Sequence, residues 1–454
     1  MKIRVLQIIC YVTLLFMDSA FIAVLDLHFA QMKTQGALKA DFNRISRSFT
    51  TRQSRLLKLA MFFVFTIGRL LSGYVSLIVN NKHLLLITVT LEVVISVFAK
   101  TVTVYMGFYG FFTFLSILVL CQALHYSPII NMTAKWIPPH EYSRAIAAIN
   151  VGSSWPGTLL SPNLWSEPLI SIDNVFKAIA IVKSLWIVLF LLVGSQEPRL
   201  SWLIRKREMA VLSKAIGPTK KIRCGACVPW KGIFRMPILY GMITSNIAYR
   251  FINNTTGQFH YLFPNVDQTG CSIAMIFQPF ALFACAWFTD VLIFKFSCPR
   301  NDVRKVWNSI SMWGAAASLA WICFFYKEPN LIPIFFTLAR YSGEMVSLGY
   351  SAAAMEISPN YASIIGAIIS FPGWMSIILK TSLDDRTKSF LEHGHAAKAH
   401  NISTVEGKLP ILYRTASVLF VMNYGFLMCG KVELRDFDSY DTVDWRKTSE
   451  VSYL

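Results

Sequence analysis

The sequence predicts an all-α membrane protein with about twelve transmembrane helices in two six-helix halves, and three observations predict this class. Of its 454 residues, 54% are hydrophobic and only 15% are charged, whereas an average soluble domain is about 25% charged. Apolar runs of about 20 residues, the length that crosses a bilayer as a helix, recur along the chain. A long basic segment, residues 197–236, separates the first six runs from the last six.

Twelve apolar runs are the candidate spans. The first is too long for a signal-peptide core and lacks a small-residue cleavage site, so we interpret it as a transmembrane helix. The third and fourth runs are nearly continuous, so the pattern does not fix the boundary between them. The spans are predicted near residues 5–29, 56–79, 84–103, 105–130, 145–168, 175–195, 237–262, 271–293, 306–326, 331–354, 361–382 and 410–429.

The basic residues lie in the gaps between apolar runs. The formal net charge is +18, but no zinc-finger or RNA-binding signature accompanies it, so we expect no nucleic-acid partner. The nine cysteines are scattered, which argues against a disulfide framework. Cys224 and Cys227 form the only close pair, and no second pair of ligands lies at the spacing of a zinc site. We therefore expect no metal and no cofactor.

The connector, residues 197–236, determines the predicted topology. Because cytoplasmic loops are enriched in Lys and Arg, we place it in the cytoplasm, and an even number of spans places both termini there. The predicted units are a first half at 1–196, the connector, a second half at 237–430 and a cytoplasmic tail at 431–454. One loop, residues 33–58, is also basic but falls outside in this topology.

Four N-x-S/T sequons occur in the chain, and one lies in a predicted external loop. Asn401 precedes the last span, on the predicted outside, so we expect it to be the glycosylation site. The other three fall in or at the edge of spans, where no glycan fits. These are Asn131, Asn253 and Asn254.

Two six-span halves joined by a basic connector indicate the major facilitator architecture, in which substrate binds between the halves near mid-membrane. Residues 134–144 read A-K-W-I-P-P-H-E-Y-S-R. This stretch resembles the loop after span four in the sodium/phosphate and organic-anion symporter family, which includes sialin, the type I phosphate transporters and the vesicular glutamate transporters. Further matches are residues 229–231, Asp290 with residues 303–305, residues 356–362 and, faintly, residues 430–433.

The resemblance implies a secondary active transporter rather than an enzyme. It would move a small organic anion or inorganic phosphate by alternating access, coupled to H⁺ or Na⁺. It would be an integral protein of the plasma membrane or of endolysosomal or vesicular membranes, with a monomer as the expected state. The sequence also departs from the family: residues 20–24 lack the span-one arginine, and Leu115, Gln122, Ala353 and Ala354 replace characteristic polar residues. The alternative is therefore a transport-inactive relative that acts as a receptor or scaffold.

Ionisable residues inside spans are costly and are therefore candidates for function. Arg69 in span two and Arg250 in span seven could each bind a carboxylate or phosphate. The alternative is a structural ion pair with Asp18, Asp26 or Glu92. A polar run in span seven either faces a cavity or joins helices. The predicted substrate-binding set is Arg250, Arg69, Asn253, Asn254, Gln258 and Gln122.

The remaining candidates concern coupling and gating. Arg340 and Glu344 are four residues apart, hence on one helix face, either as a self-neutralising pair or with Glu344 as a proton-coupling group. The histidines of the spans, His28 and His125, are interpreted as packing or lumen-facing residues. For the gate, we expect Glu141 to pair with Arg144, and Asp290 to bind the basic loop that follows it; the alternative is that these groups only fix helix ends. That loop ends in Arg304 and Lys305.

Overall fold

The structure is a computed structural model, and every regular element that it describes is a helix. The described residues are 3–34, 51–159, 172–216, 228–257, 262–263, 266, 269–328, 330–394 and 409–433. Residues 224, 227, 258 and 401 lie outside these ranges, so the predictions made for Cys224, Cys227, Gln258 and Asn401 are not addressed by the structure.

The helices before the connector correspond to the first six predicted spans. They are α1 (Ile3–Thr34), α2 (Thr51–Ile78), α3 (Asn81–Ala123), α4 (Tyr126–Trp136), α5 (Tyr142–Leu159) and α6 (Ile172–Val193), with a 3₁₀ turn at Pro139–Glu141. A second 3₁₀ turn at Pro198–Leu200 opens the connector, which then contains α7 (Lys206–Ile216) and α8 (Trp230–Phe234).

The seven helices after the connector correspond to the other six predicted spans, because the tenth span is divided between two helices. They are α9 (Pro237–Gly257), α10 (Thr269–Phe294), α11 (Arg300–Phe324), α12 (Ile332–Glu344), α13 (Tyr350–Ile357), α14 (Ala362–Gly394) and α15 (Leu409–Cys429), with a 3₁₀ turn at Met345–Leu348. The division of the chain at residues 196 and 237 stays a prediction.

Helix α3 contains two spans. Its 43 residues would measure about 65 Å as one straight helix, twice the thickness of a bilayer. The chain reverses at Gly107, whose φ of 60° is readily adopted only by glycine. Residues eight positions apart are about 12 Å apart along a straight helix. A Cβ on Gly110 would nevertheless lie 3.0 Å from the carbonyl oxygen of Val102, so the chain folds back on itself here. The nearly continuous third and fourth apolar runs are therefore separate spans.

The tenth predicted span is interrupted. The chain tightens into the 3₁₀ turn at Met345–Leu348, and Gly349 then leaves the helical region with φ −86° and ψ −110°. A break of this kind frees carbonyl groups from the helix ladder. Arg304 of α11 uses one of them, because its Nη1 donates to the Leu348 carbonyl at 2.8 Å. The interruption thus supplies a binding partner for a buried cation.

The outer surface of the bundle is apolar, as lipid contact requires. Seven segments of the described chain meet the length and hydropathy of a membrane span, and one of them, Asn81–Trp136, is 56 residues long. Large apolar side chains of α10 point outward, among them Phe277, Phe280, Trp287 and Phe288. The chain is a multi-pass membrane protein.

The two halves meet along two pairs of helices. Helix α5 packs against α10, and α2 packs against α14. The first contact includes an apolar cluster that contains Ala147, Leu282, Ala286 and Ile293. The backbone N–H groups of Ile3 and Arg4 lie 3.3 and 3.4 Å from Glu208 of α7, so the chain start and the connector share one end of the bundle. We call this the connector end and the opposite one the far end.

Candidate functional site

A cavity of about 480 Å³ lies between the two halves. This volume is within the range of small-molecule sites. Helices α1, α2 and α5 contribute to its wall from the first half, and α9, α12, α13 and α14 contribute from the second half. Its polar lining includes Asp18, Arg69, Gln122, Tyr126, Asn246, Arg250, Asn253, Arg340, Tyr350 and Trp374. Of the predicted substrate-binding residues, Arg250, Arg69, Asn253 and Gln122 are thus brought together.

Two of the three cavity arginines, Arg69 and Arg250, stack on aromatic rings. The guanidinium carbon of Arg69 lies 3.9 Å from the centre of the Tyr126 ring. Arg250 lies at the same distance from the Trp374 ring. Stacking covers the face of a guanidinium and leaves its in-plane N–H donors available. The Nε atoms of both arginines are buried without a hydrogen-bond partner among the described residues.

Two of the three carboxylates expected to neutralise these arginines are bound elsewhere, which corrects the ion-pair alternative for Asp18 and Glu92. Asp18 Oδ1 accepts from Lys183 Nζ at 2.6 Å, and its Oδ2 lies 2.6 Å from Nδ1 of His125. Glu92 accepts from the same Lys183 ammonium. The third proposed partner, Asp26, has a side chain outside the described part. No ion pair of Arg69 or Arg250 occurs among the described side chains.

The third cavity arginine is neutralised within its own helix. Arg340 Nη2 lies 3.5 Å from Glu344 Oε1, the i,i+4 arrangement expected from the spacing. Its Nη1 also donates to Asn253 and Thr256, each at 3.0 Å. Glu344 accepts in addition from the Tyr249 hydroxyl at 3.0 Å. A coupling role for this pair stays a prediction.

The charge of the cavity is therefore positive. Its charged lining residues are Asp18, Arg69, Arg250 and Arg340. Asp18 and Arg340 have the partners just described, so the guanidinium charges of Arg69 and Arg250 face the cavity without a carboxylate partner among the described side chains. An arginine fork matches the geometry of a carboxylate or phosphate. The arrangement suits a small anion.

The polar run of α9 has two roles rather than one. Asn253 lines the cavity. The amide oxygen of Asn254 instead accepts from Lys380 of α14 at 2.9 Å, and Asn254 does not belong to the lining, which corrects its assignment to the substrate site. Thr255 joins α9 to α15 through the Thr415 hydroxyl at 3.0 Å. Gln122 lines the cavity, and both of its side-chain polar atoms lack a partner in the described chain.

The predicted gate residues join the two halves at the connector end, but with different partners. Arg144 Nε donates to Asp290 Oδ2 at 2.8 Å, whereas its closest approach to Glu141 is 4.0 Å. Glu141 pairs with Arg4 at 3.0 Å. The expected Glu141–Arg144 pair is thus present only as a long contact, and the short ion pair of Arg144 joins the two halves through Asp290.

Asp290 does not bind the basic loop after it, which corrects the second gate prediction. Its carboxylate faces the backbone N–H groups of Ser143 and Arg144, at 3.2 and 3.4 Å. These N–H groups belong to the first turn of α5, where the helix itself provides no acceptors. Asp290 of one half therefore caps a helix of the other half.

Arg304 forms a second buried contact at the connector end. It binds Glu356 through two hydrogen bonds of 2.7 and 3.0 Å. Its Nη1 also donates to the Ser143 hydroxyl of the first half at 3.0 Å. Lys305 is half-buried, with its Cε 3.3 Å from the position that a Cβ on Gly430 would occupy.

Sequence reasoning missed Lys183 and misread His125. Lys183 is fully buried and is one of two cations within the apolar run 175–195, the other being Lys177. An ionisable group inside a span is a signal for function, so this residue could have been found. His125 was expected to be a packing or lumen-facing residue, but it lies buried in a cluster of ionisable groups with Asp18. The side chain of His28 lies outside the described part.

Comparison with known proteins gives the family. The model of the Major Facilitator Superfamily matches residues 8–379. The chloroplastic ascorbate transporter of Arabidopsis thaliana is 25% identical over 263 residues, or 56% of this chain and 47% of that protein. Vesicular glutamate transporter 2.2 of Danio rerio is 25% identical over 344 residues, which cover 70% of this chain and 56% of that protein. Sialin of Homo sapiens is 22% identical over 339 residues, which cover 71% of this chain and 68% of that protein.

The chain spans about half of the length of the first two of these relatives. In solved structures, the fold resembles the proton:xylose symporter XylE, with a TM-score of 0.63 at 13% identity over 94% of this chain and 95% of that one. The relatives confirm the resemblance drawn from the motifs. The chain belongs to the major facilitator superfamily, and sialin, vesicular glutamate transporters and a putative inorganic phosphate cotransporter are among its relatives.

Proposed function

We propose that this protein is a secondary transporter of a small organic anion or inorganic phosphate. One observation carries the proposal: Arg69 and Arg250, one from each half, face a shared cavity without a carboxylate partner in the described chain. An anion that leaves water loses its hydration and needs compensating donors. The two guanidinium forks supply these donors, and Gln122 and the indole N–H of Trp374 add further groups without partners.

The position of the site supports transport rather than static binding. Arg69 belongs to α2 and Arg250 to α9, so an anion held by both would link the halves. Alternating access requires a site that both halves share and a gate on each side of it. The Arg144–Asp290 and Arg304–Ser143 contacts close the connector end. The anion would enter from the far end and leave after these contacts separate.

The relatives narrow the range of candidate substrates. Their names specify ascorbate, glutamate and phosphate, all of which are anions at neutral pH. Coupling to H⁺ or Na⁺, location in the plasma membrane or in endolysosomal or vesicular membranes, and cytoplasmic termini complete the proposal.

Uptake into proteoliposomes tests the proposal. Labelled ascorbate, L-glutamate, sialic acid and inorganic phosphate are offered to the purified full chain, with and without a pH gradient. We expect saturable uptake of at least one of them, and its loss in Arg250→Ala. Lys327→Ala is the matched control, because Lys327 also contacts an aromatic ring, Tyr326, but is exposed and outside the cavity. A wild-type chain that neither binds nor transports any anion would favour the receptor or scaffold alternative.

A further inference from the structure

Four ionisable groups lie buried in the first half, beside the anion site. They are Asp18 of α1, Glu92 of α3, His125 between α3 and α4, and Lys183 of α6. Glu92, His125 and Lys183 are fully buried, and Asp18 is 6% exposed. Lys183 binds both carboxylates, and His125 Nδ1 lies 2.6 Å from Asp18. We call these residues the Asp18 cluster.

The charges of the Asp18 cluster do not cancel when His125 is neutral. Two carboxylates then face one ammonium, which leaves one negative charge in a medium where an unpaired charge is costly. A proton on His125 would bring the net charge to zero. Arg69 of α2 lines the same cavity as Asp18.

The surroundings of His125 suit the protonated ring. A neutral imidazole has one N–H donor, and an imidazolium has two. Nδ1 faces the carboxylate of Asp18, which only accepts. Nε2 lies 3.1 Å from the Thr88 hydroxyl, and this hydroxyl is within donating distance of the Leu84 carbonyl at 2.8 Å.

A second acceptor also faces Nε2. Glu92 Oε1 lies 3.6 Å from it and has no hydrogen-bond partner among the described residues, although it is buried. Acceptors therefore face both ring nitrogens, and one of them is unsatisfied. The missing component is a proton. A sodium ion would need the place between the two carboxylates, and the Lys183 ammonium already occupies it.

We propose that His125 in the Asp18 cluster binds the proton that travels with the anion, so the protein is a proton–anion symporter. This inference rests on the proposed anion site. Asp18 belongs both to the cluster and to the cavity wall, so an anion held by Arg69 lies near the negative charge of the cluster. A proton on His125 removes that charge. By reciprocity, each of the two then strengthens the binding of the other.

The proposal distinguishes the Asp18 cluster from the Arg340–Glu344 pair. That pair contains one positive and one negative group, and Tyr249 donates to its carboxylate. Its charge is already balanced, so it gains nothing from a proton. A transporter coupled through Glu344 would lose its pH dependence in Glu344→Gln, whereas one coupled through the cluster would keep it.

Binding of labelled ascorbate or L-glutamate to the detergent-solubilised full chain tests the inference. Both probes keep a constant charge between about pH 5.5 and 7.5, so a change in affinity reports on the protein. In the wild type we expect binding to strengthen as pH falls, by up to about tenfold per pH unit for one linked proton. Adding the probe to weakly buffered wild-type protein should also remove protons from solution. This measurement needs no variant.

Two substitutions should have opposite effects. In His125→Gln the cluster keeps its negative charge, so affinity should stay at the weak, high-pH value of the wild type. In Asp18→Asn the cluster is neutral with an unprotonated histidine, so affinity should stay near the tight, low-pH value. Both should be independent of pH, while Glu344→Gln should keep the wild-type slope.

The possible failures are distinguishable. Wild-type binding that is independent of pH and takes up no proton overturns this inference and leaves the anion site intact. The same holds if binding depends on Na⁺ instead, or if Glu344→Gln alone removes the pH dependence. No anion binding at any pH overturns both the inference and the proposed function.

Discussion

Arg69 and Arg250 show how a membrane cavity can hold cations without carboxylate partners. Each guanidinium lies 3.9 Å from an aromatic ring centre, Tyr126 or Trp374. A desolvated contact of this kind contributes about 2 kcal/mol, which offsets part of the cost of burying the charge. A carboxylate would offset more of that cost, but it would also occupy the donors that an anion needs.

Replacing Arg250 separates charge from geometry. Arg250→Lys keeps the charge but loses the planar fork and the stacking on Trp374. If one charged hydrogen bond is lost, the affinity should fall by about 1.5–3 kcal/mol, or roughly tenfold to a hundredfold. Arg250→Ala should abolish saturable uptake. Equilibrium binding and proteoliposome uptake measure the two effects.

Surface delivery and gel-filtration behaviour control for misfolding, and Lys327→Ala should match the wild type. An Arg250→Ala protein that is folded and transports at the wild-type rate would remove Arg250 from the site. Equal affinities for Arg250→Lys and the wild type would show that charge alone holds the anion.

The sequence identified the cavity cations, but not their surroundings. Arg69 and Arg250 stood out because ionisable groups inside apolar spans are unusual, and Gln122 stood out because it replaces a characteristic residue of the resembling family. Their stacking partners did not, since aromatic residues are common throughout a chain with 34 phenylalanines. Lys183 binds residues 165 and 91 positions away. A single sequence gives no spacing rule that connects such distant positions.

At the scale of helices, the connector end is closed by contacts at helix ends. Asp290 of α10 caps the first turn of α5 and binds Arg144, and Arg304 of α11 reaches Ser143. Opening this end removes the cap from α5 and exposes its unpaired N–H groups. The contact between the halves at the connector end thus involves backbone groups as well as an ion pair.

Asp290→Asn should open the connector end more often. Arg144 is about a third exposed, so the ion pair alone is weakened by solvent, but the cap is weakened too. We expect a loss of about 1–3 kcal/mol from the closed state, or roughly a fivefold to hundredfold change in conformer ratio. Labelling of Ser154→Cys, a cavity position, from the connector end reports the change.

Glu141→Gln is the matched control for this experiment. Glu141 pairs with Arg4 at 3.0 Å, within the same half, so its substitution should leave labelling of the cavity unchanged. Equal effects of Asp290→Asn and Glu141→Gln would instead support the Glu141–Arg144 gate that the sequence suggested. The parent chain without the added cysteine corrects for labelling of the native cysteines.

Gly73 on α2 allows close packing between the halves. A Cβ at this position would lie 2.5 Å from the Ala367 Cβ and 3.0 Å from the Ser363 carbonyl oxygen on α14. Small residues permit this approach of helix backbones in membranes. Gly73→Leu should therefore prevent closure and increase labelling of Ser154→Cys from the connector end. Gly257→Leu is the control, since a Cβ there meets nothing within 4 Å. Unchanged labelling in Gly73→Leu would contradict the role of this contact.

The elements illustrate what hydropathy can and cannot predict. It located most spans within a few residues, because lipid imposes a minimum apolar length. It predicted a reversal between the third and fourth spans but did not fix it at Gly107, since the residues on both sides are apolar. It also missed the break between α12 and α13, because buried polar contacts such as Arg304 with the Leu348 carbonyl do not alter the apolar pattern.

For the whole molecule, the closed connector end and the cavity between the halves match one state of the transport cycle that we propose. The cavity arginines come from different halves, so movement of one half against the other changes the distance between them. The positive cavity disfavours closure at both ends while it is empty, because Arg69 and Arg250 repel one another. A bound anion reduces this repulsion and would permit the halves to rock.

The orientation of the molecule gives the last prediction. The connector carries ten Lys and Arg residues against Glu197 and Glu208 within 197–236, and such a bias places a loop in the cytoplasm. Both chain ends then share this side, and the loop with Asn401 lies opposite. Tags at both termini should be protected from protease in intact cells. A tag cleaved from outside would invert the topology, so anion entry from the far end would become entry from the cytoplasm.

The same topology places the loop with Asn401 outside, so Asn401→Gln should remove every glycosidase-sensitive shift. A shift that survives Asn401→Gln would require another sequon to face outward, although the Asn131 amide donates to the Ser76 carbonyl at 3.0 Å within the bundle.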